Sequence, residues 1–164
     1  MAAPEVVHAG ETDKSYAAAL LRCPLSRRTA TQGNRSMQYC LEADLLAPGR
    51  ARDLLSRLSE SRPPSGGHED ALLVLSELVT NAVRHGEGRD LVIELEVSGD
   101  DVHVAVTQRA SFPTPRPPLT PAGVAWTQES GRGLFLVDHL ARRWGTDPLP
   151  DGRLRVWADV CADA

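Results

Sequence analysis

Glu69-Asp70-Ala71-Leu72-Leu73-Val74-Leu75-Ser76-Glu77-Leu78-Val79-Thr80-Asn81-Ala82-Val83-Arg84-His85-Gly86 is the stretch on which the fold turns. Ala71, Leu75, Leu78 and Ala82 recur at helical spacing, with Leu72, Val79 and Val83 beside them, so the run predicts an amphipathic helix over 69–84. Glu69 and Asp70 suit the positive end of its dipole, His85 suits the negative end, and Gly86 and Gly88 stop it. Glu77 and Asn81 are four apart and stand one above the other. Asp70 and Arg84 project within about 20° of Glu77 on a helical wheel, and Leu73 and Val74 flank that line. A carboxylate and an amide on a half-apolar face can wall a cleft, and together they can place an oxygen ligand on magnesium and orient a water or hydroxyl. A solvated helix face with an unrelated Glu and Asn fits the same spacing.

After this helix, Leu91, Ile93, Leu95 and Val97 alternate with polar residues, and so do Val102, Val104 and Val106. Ser98-Gly99-Asp100-Asp101 joins them as an antiparallel hairpin with one buried face. Residues 109–130 hold Pro113, Pro115, Pro117, Pro118 and Pro121 without an apolar period, which reads as a functional lid. Gly131-Arg132-Gly133-Leu134 then opens a helix reaching about Arg142. Glycines let backbone approach a ligand closely, and the free N–H groups of a helix start favour phosphate. Arg132 could add a charge-assisted phosphate contact; an ordinary loop-to-helix turn explains the same residues. Strands at 144–149 and 154–160 flank the turn Asp151-Gly152.

Before the long helix, Met37, Tyr39 and Leu41 alternate as a strand, and Ala51, Leu54, Leu55 and Leu58 mark a helix from Pro48 to about Ser61. Residues 1–36 show no sustained period and read as a mostly disordered N-terminal tail, leaving 37–164 as the folded domain. The order of elements predicts an α+β fold, a two-layer sandwich with helices on one face of a mixed, mostly antiparallel sheet.

Composition narrows the function classes. The chain has 164 residues and a formal charge of −4, so bulk electrostatics does not favour nucleic acid or an anionic membrane. Of 18 basic residues only Lys14 is lysine, which reads as codon bias, since the arginines do not cluster. Cys23, Cys40 and Cys161 form no C-x-x-C pair, which fits a reducing compartment better than a disulfide framework or zinc site. Neither a secretory leader nor a run of about 18 apolar residues is evident, so a soluble cytoplasmic protein is expected. Trp126, Trp144 and Trp157 are too scattered for a base-stacking platform and read as core or interface packing.

Val74-Leu75-Ser76-Glu77-Leu78-Val79-Thr80-Asn81-Ala82-Val83-Arg84-His85-Gly86 closely resembles the N-box of the anti-sigma-factor serine kinases, a branch of the GHKL ATPase superfamily that includes DNA gyrase, histidine kinases and MutL. Gly131-Arg132-Gly133-Leu134-Phe135-Leu136-Val137-Asp138 resembles that family's glycine box. Arg143-Trp144-Gly145 and Val156-Trp157 are similar to its small single-domain actinobacterial members. The resemblance covers about residues 37–160 and implies the histidine-kinase-type ATPase sandwich. It also implies ATP and magnesium as cofactors, with Asn81 on the metal, Glu77 as general base, and Gly131, Arg132, Gly133 and Leu134 on the phosphates. The implied activity is phosphoryl transfer to a serine of an antagonist protein by an anti-sigma factor. The implied partners are a sigma factor or that antagonist, and a second copy of the chain in a homodimer.

One position departs from the family pattern. The strand before the lid should end in an Asp that accepts the adenine amino hydrogen, usually followed by glycines. Here Gln108 stands in that place and no glycine follows until Gly123. A neutral acceptor is weaker than an ionised one by on the order of 1 kcal/mol, so about tenfold lower affinity is expected. A catalytically inactive module that sequesters a regulator through the same scaffold is the alternative.

Overall fold

The computed structural model describes residues 27–31, 34–59, 66–109 and 132–161. Their elements, in chain order, are β1 Arg27–Thr31, β2 Asn34–Glu42, α1 Ala47–Ser59, α2 Gly66–His85, β3 Asp90–Ser98, β4 Asp101–Arg109, α3 Arg132–Leu140, β5 Arg143–Pro148 and β6 Arg153–Cys161. The six strands form one sheet in the order β1-β2-β3-β4-β6-β5. Every neighbouring pair among them is antiparallel, so the expected mixed character is absent from the described strands. The α+β two-layer sandwich stands as expected.

Alternation decides which sheet face is covered. Leu91, Ile93, Leu95 and Val97 on β3, Val102, Val104 and Val106 on β4, and Ala158 and Val160 on β6 are all buried. They share one core with Leu55 and Leu58 of α1, Val137 of α3, and Ala71, Val74, Leu75, Leu78, Val79 and Ala82 of α2. Six buried positions on α2 fix its rotation about its own axis. Trp144, also in the core, donates its indole N–H to Asp138 Oδ1 at 2.9 Å and so ties α3 to β5. The β3–β4 and β5–β6 hairpins each turn on a glycine in the left-handed region, Gly99 at φ 60° and Gly152 at φ 76°, where other residues are strained.

The sheet begins earlier than expected. β1 lies inside the segment read as tail and pairs with β2 through Arg27↔Gln38 to Thr31↔Asn34. Its sequence, Arg-Arg-Thr-Ala-Thr, lacks the apolar alternation that marks a half-buried strand. The rest of the expected tail, residues 1–26, and the expected lid beyond Arg109 lie outside the described residues, as does Trp126. α2 starts at Gly66 rather than Glu69, because glycine is tolerated in a first helical turn. Among the described residues no helix is long and apolar enough to cross a membrane.

The outer sheet face carries a polar lattice. Asp159 on β6 receives bonds from Arg143 Nη2 at 2.6 Å and Nε at 3.1 Å, and lies 2.6 Å from His103 Nδ1. Arg155 bonds Glu94 at 2.9 Å and reaches Asp147 at 3.3 Å. Trp157, half-buried, stacks on the His103 ring at 6.2 Å between centroids. Burial pushes the Asp159 carboxyl up, but the bonds to His103 and Arg143 outweigh it and hold the group below its ordinary 3.8. A carboxyl depressed on folding adds stability above its unfolded value and loses that stability as pH falls through its folded value. Asp159→Asn should therefore lower stability at pH 7 by about 1 kcal/mol or less. In urea titrations the gap to wild type should shrink as the pH drops below 3.8; a gap that stays constant at acid pH contradicts this account.

Candidate nucleotide site

α2 presents Glu77 and Asn81 on the side facing α3, and both are half-buried. The N-terminus of α3 meets them there. A β-carbon built on Gly133 would lie 2.5 Å from Glu77 Oε2 and 3.4 Å from Asn81 Nδ2. With no β-carbon at Gly133, the first turn of α3 comes this close without displacing the carboxylate. The carboxylate-amide pair and the glycine-opened helix therefore share one locus, although more than fifty residues of chain separate them. Leu134 is half-buried beside the core, whereas Gly131 and the Arg132 side chain lie outside the described residues. Asp70 on the same face is half-buried, Arg84 is exposed, and Leu73 is 48% exposed.

Gln108 occupies the last inward position of β4 and is only 6% exposed. Its side chain lies against Gly86, where a built β-carbon would fall 2.7 Å from Gln108 Oε1 and 2.5 Å from the Ala82 carbonyl oxygen. Gly86 thus does more than stop α2, since it makes room for Gln108. That function was invisible in the sequence because the contact joins residues far apart in the chain. The backbone closes around it, with Gly86 N–H donating to Ala82 O at 2.9 Å and Glu87 N–H to Arg109 O at 3.0 Å. His85 ends the helix exposed, beside Arg84 in the last turn.

Two buried polar atoms in these positions have no hydrogen-bond partner, Asn81 Nδ2 and Gln108 Oε1. Buried polar groups are almost always paired, so each orphan calls for an explanation, and an absent ligand is one. Ser76, next to Glu77, is instead satisfied: it donates to Leu72 O at 2.7 Å and accepts from Arg52 at 3.0 Å.

The histidine kinase-like ATPase domain family matches residues 41–150, two thirds of the chain and the span containing all of these positions. The chain belongs to that family. It is 39% identical over 82 residues to an uncharacterized protein of Streptomyces coelicolor, a stretch that is 48% of this chain and 74% of the relative. In fold it is similar to the crystal structure of the RsbU and RsbW domains of a Mycobacterium tuberculosis protein, with TM-score 0.56 at 19% identity. That alignment covers 77% of this chain and 32% of the solved one, so the chain spans about a third of that protein's length. The family's fold is the one expected from the sequence.

The donor set suits a phosphate-bound magnesium. Among the described residues no three His, Cys, Asp or Glu side chains gather as a metal cage. Magnesium commonly takes one or two protein oxygens and completes its shell with water and substrate phosphates. A single amide beside a helix N-terminus fits that pattern.

The two glycines should respond differently to a methyl group. At Gly133 the obstacle is the tip of a carboxylate, which can swing away. At Gly86 one obstacle is backbone. Gly133→Ala should change unfolding free energy by about 1 kcal/mol or less, and Gly86→Ala should cost more, in the range of about 1–3 kcal/mol for overpacking. Chemical denaturation of both variants checks the order, and the reverse order contradicts the geometry.

Proposed function

We propose that this chain is an ATP-binding regulatory protein, a serine/threonine-protein kinase that acts as an anti-sigma factor by phosphorylating an antagonist protein. The observation that carries the reading is the approach of Gly133 to Glu77 and Asn81. Membership of an ATPase domain family and the fold shared with an RsbW-containing structure support it.

In this reading the N–H groups at the start of α3, at Gly133 and Leu134, hold phosphate, helped by the helix dipole. The family resemblance assigns Gly131 and Arg132 to the phosphates as well. The side-chain oxygen of Asn81 would hold magnesium, which would supply charge neutralisation at the transferring phosphoryl group. The Glu77 carboxylate accepts the proton of the attacking serine hydroxyl. Gln108 accepts a hydrogen bond from the adenine amino group, which pairs its orphan oxygen. The work is positioning and charge stabilisation, as expected for phosphoryl transfer. The protein partner is a sigma factor, its antagonist, or both in turn.

A second reading rests on Gln108. A neutral amide in the base subsite weakens nucleotide binding, and the same scaffold then serves as a module that sequesters a regulator without turnover.

Calorimetry with magnesium-ATP and phosphate transfer to candidate antagonists separate the two. Glu77→Gln should lower transfer by about 10²-fold or more while leaving nucleotide affinity within a few-fold. Asn81→Ala should weaken binding chiefly when magnesium is present. Absence of nucleotide binding by wild type at millimolar ATP removes the kinase reading, and transfer that survives Glu77→Gln removes its general base.

A further inference from the structure

The buried amide of Gln108 bears on which nucleotides the site takes, an inference that rests on the nucleotide-binding reading above. Three observations combine. Gln108 is 6% exposed. Its Oε1 is buried and unpaired. It lies against Gly86, just past the end of α2, where the absence of a β-carbon leaves room for the amide. Of the two further buried orphans, Ser59 Oγ lies at the end of α1, and Asn81 Nδ2 belongs to α2 about 7.5 Å along its axis from Gly86, at the usual rise per residue. Gln108 and Asn81 are thus held at different points beside the C-terminal half of α2.

An ionised carboxylate can only accept hydrogen bonds, whereas a primary amide carries an acceptor and a donor on the same carbon. Turning that amide by 180° exchanges them without moving the rest of the side chain. In one setting Oε1 receives an amino N–H; in the other Nε2 donates to a carbonyl oxygen. We propose that Gln108 makes the base subsite tolerant of both 6-amino and 6-oxo purines, so that inosine and guanine nucleotides bind alongside adenine nucleotides. A carboxylate here would set negative charge against the 6-oxo oxygen and exclude them. The amide removes that repulsion and leaves each base a partner.

The test is calorimetric titration of the full chain with magnesium-ADP and magnesium-IDP at pH 8. Inosine differs from adenosine in the ring at position 6, its amino group becoming a carbonyl with the accompanying ring proton, and lacks the 2-amino group of guanosine. Wild type should bind the two diphosphates within about fivefold of each other. Gln108→Glu keeps the shape but accepts only, and it should retain ADP while weakening IDP by about tenfold or more. Gln108→Leu carries no charge to bury and should weaken both to a similar degree. The proposal is overturned by wild type that binds ADP but discriminates against IDP by more than about thirtyfold, a result that leaves the nucleotide-binding reading intact. It is also overturned if Gln108→Leu leaves both affinities unchanged. Failure of both diphosphates to bind wild type at millimolar concentration overturns the proposal and the underlying reading together.

Discussion

Burial of one face of α2 is the constraint on which the rest depends. Ala71, Val74, Leu75, Leu78, Val79 and Ala82 are each at most 4% exposed. Rotating the helix by even one position would withdraw several of them from the core, at roughly 1.5–3 kcal/mol for each large side chain. The rotation is therefore fixed by packing, and Glu77 and Asn81 inherit their direction from it. The acid and the amide need no neighbours of their own to orient them. The sheet beneath supplies the order through its apolar strands, and α3 supplies the opposing glycine.

Much of this was legible in the sequence because it is local. Period 3.6 marked α2, period 2 marked β3 and β4, and Gly99 and Gly152 marked the two hairpin turns. The pairing of Glu77 with Asn81 followed from spacing alone. Their meeting with Gly133 did not follow from spacing; it was implied by the family resemblance. What stayed hidden depends on tertiary partners or lacks an apolar signature. β1 has Ala30 as its single apolar residue and gives no alternation to read. The placement of β6 between β4 and β5 is a matter of topology. The room Gly86 leaves for Gln108 joins an element end to a strand end some twenty residues later, and neither sequence neighbourhood mentions the other.

The outer sheet face shows a different use of charge. Asp159 and Arg155 sit on β6 between partners on both neighbouring strands, and Arg155 reaches across to Glu94 on β3. Directly opposed residues on adjacent strands lie close enough to interact across the ladder, and the register places His103 and Arg143 both opposite Asp159. These bonds stitch four strands together on the side the helices leave bare. The family match ends at residue 150, before β6 begins, so Arg155 and Asp159 lie beyond that span while their partners Glu94, His103, Arg143 and Asp147 lie within it.

At its β5 margin the sheet is guarded against growth. An exposed strand margin is a template on which another chain can add, and polymerisation begins at such places. β5 is six residues long, begins with Arg143 and ends with Asp147 and Pro148, all exposed. Pro148 has no N–H to offer an incoming strand, and parallel in-register stacking of further copies would bring like charges together. The interior valines can thus be as sticky as a core demands, while the border that faces the crowd resists fibril seeding.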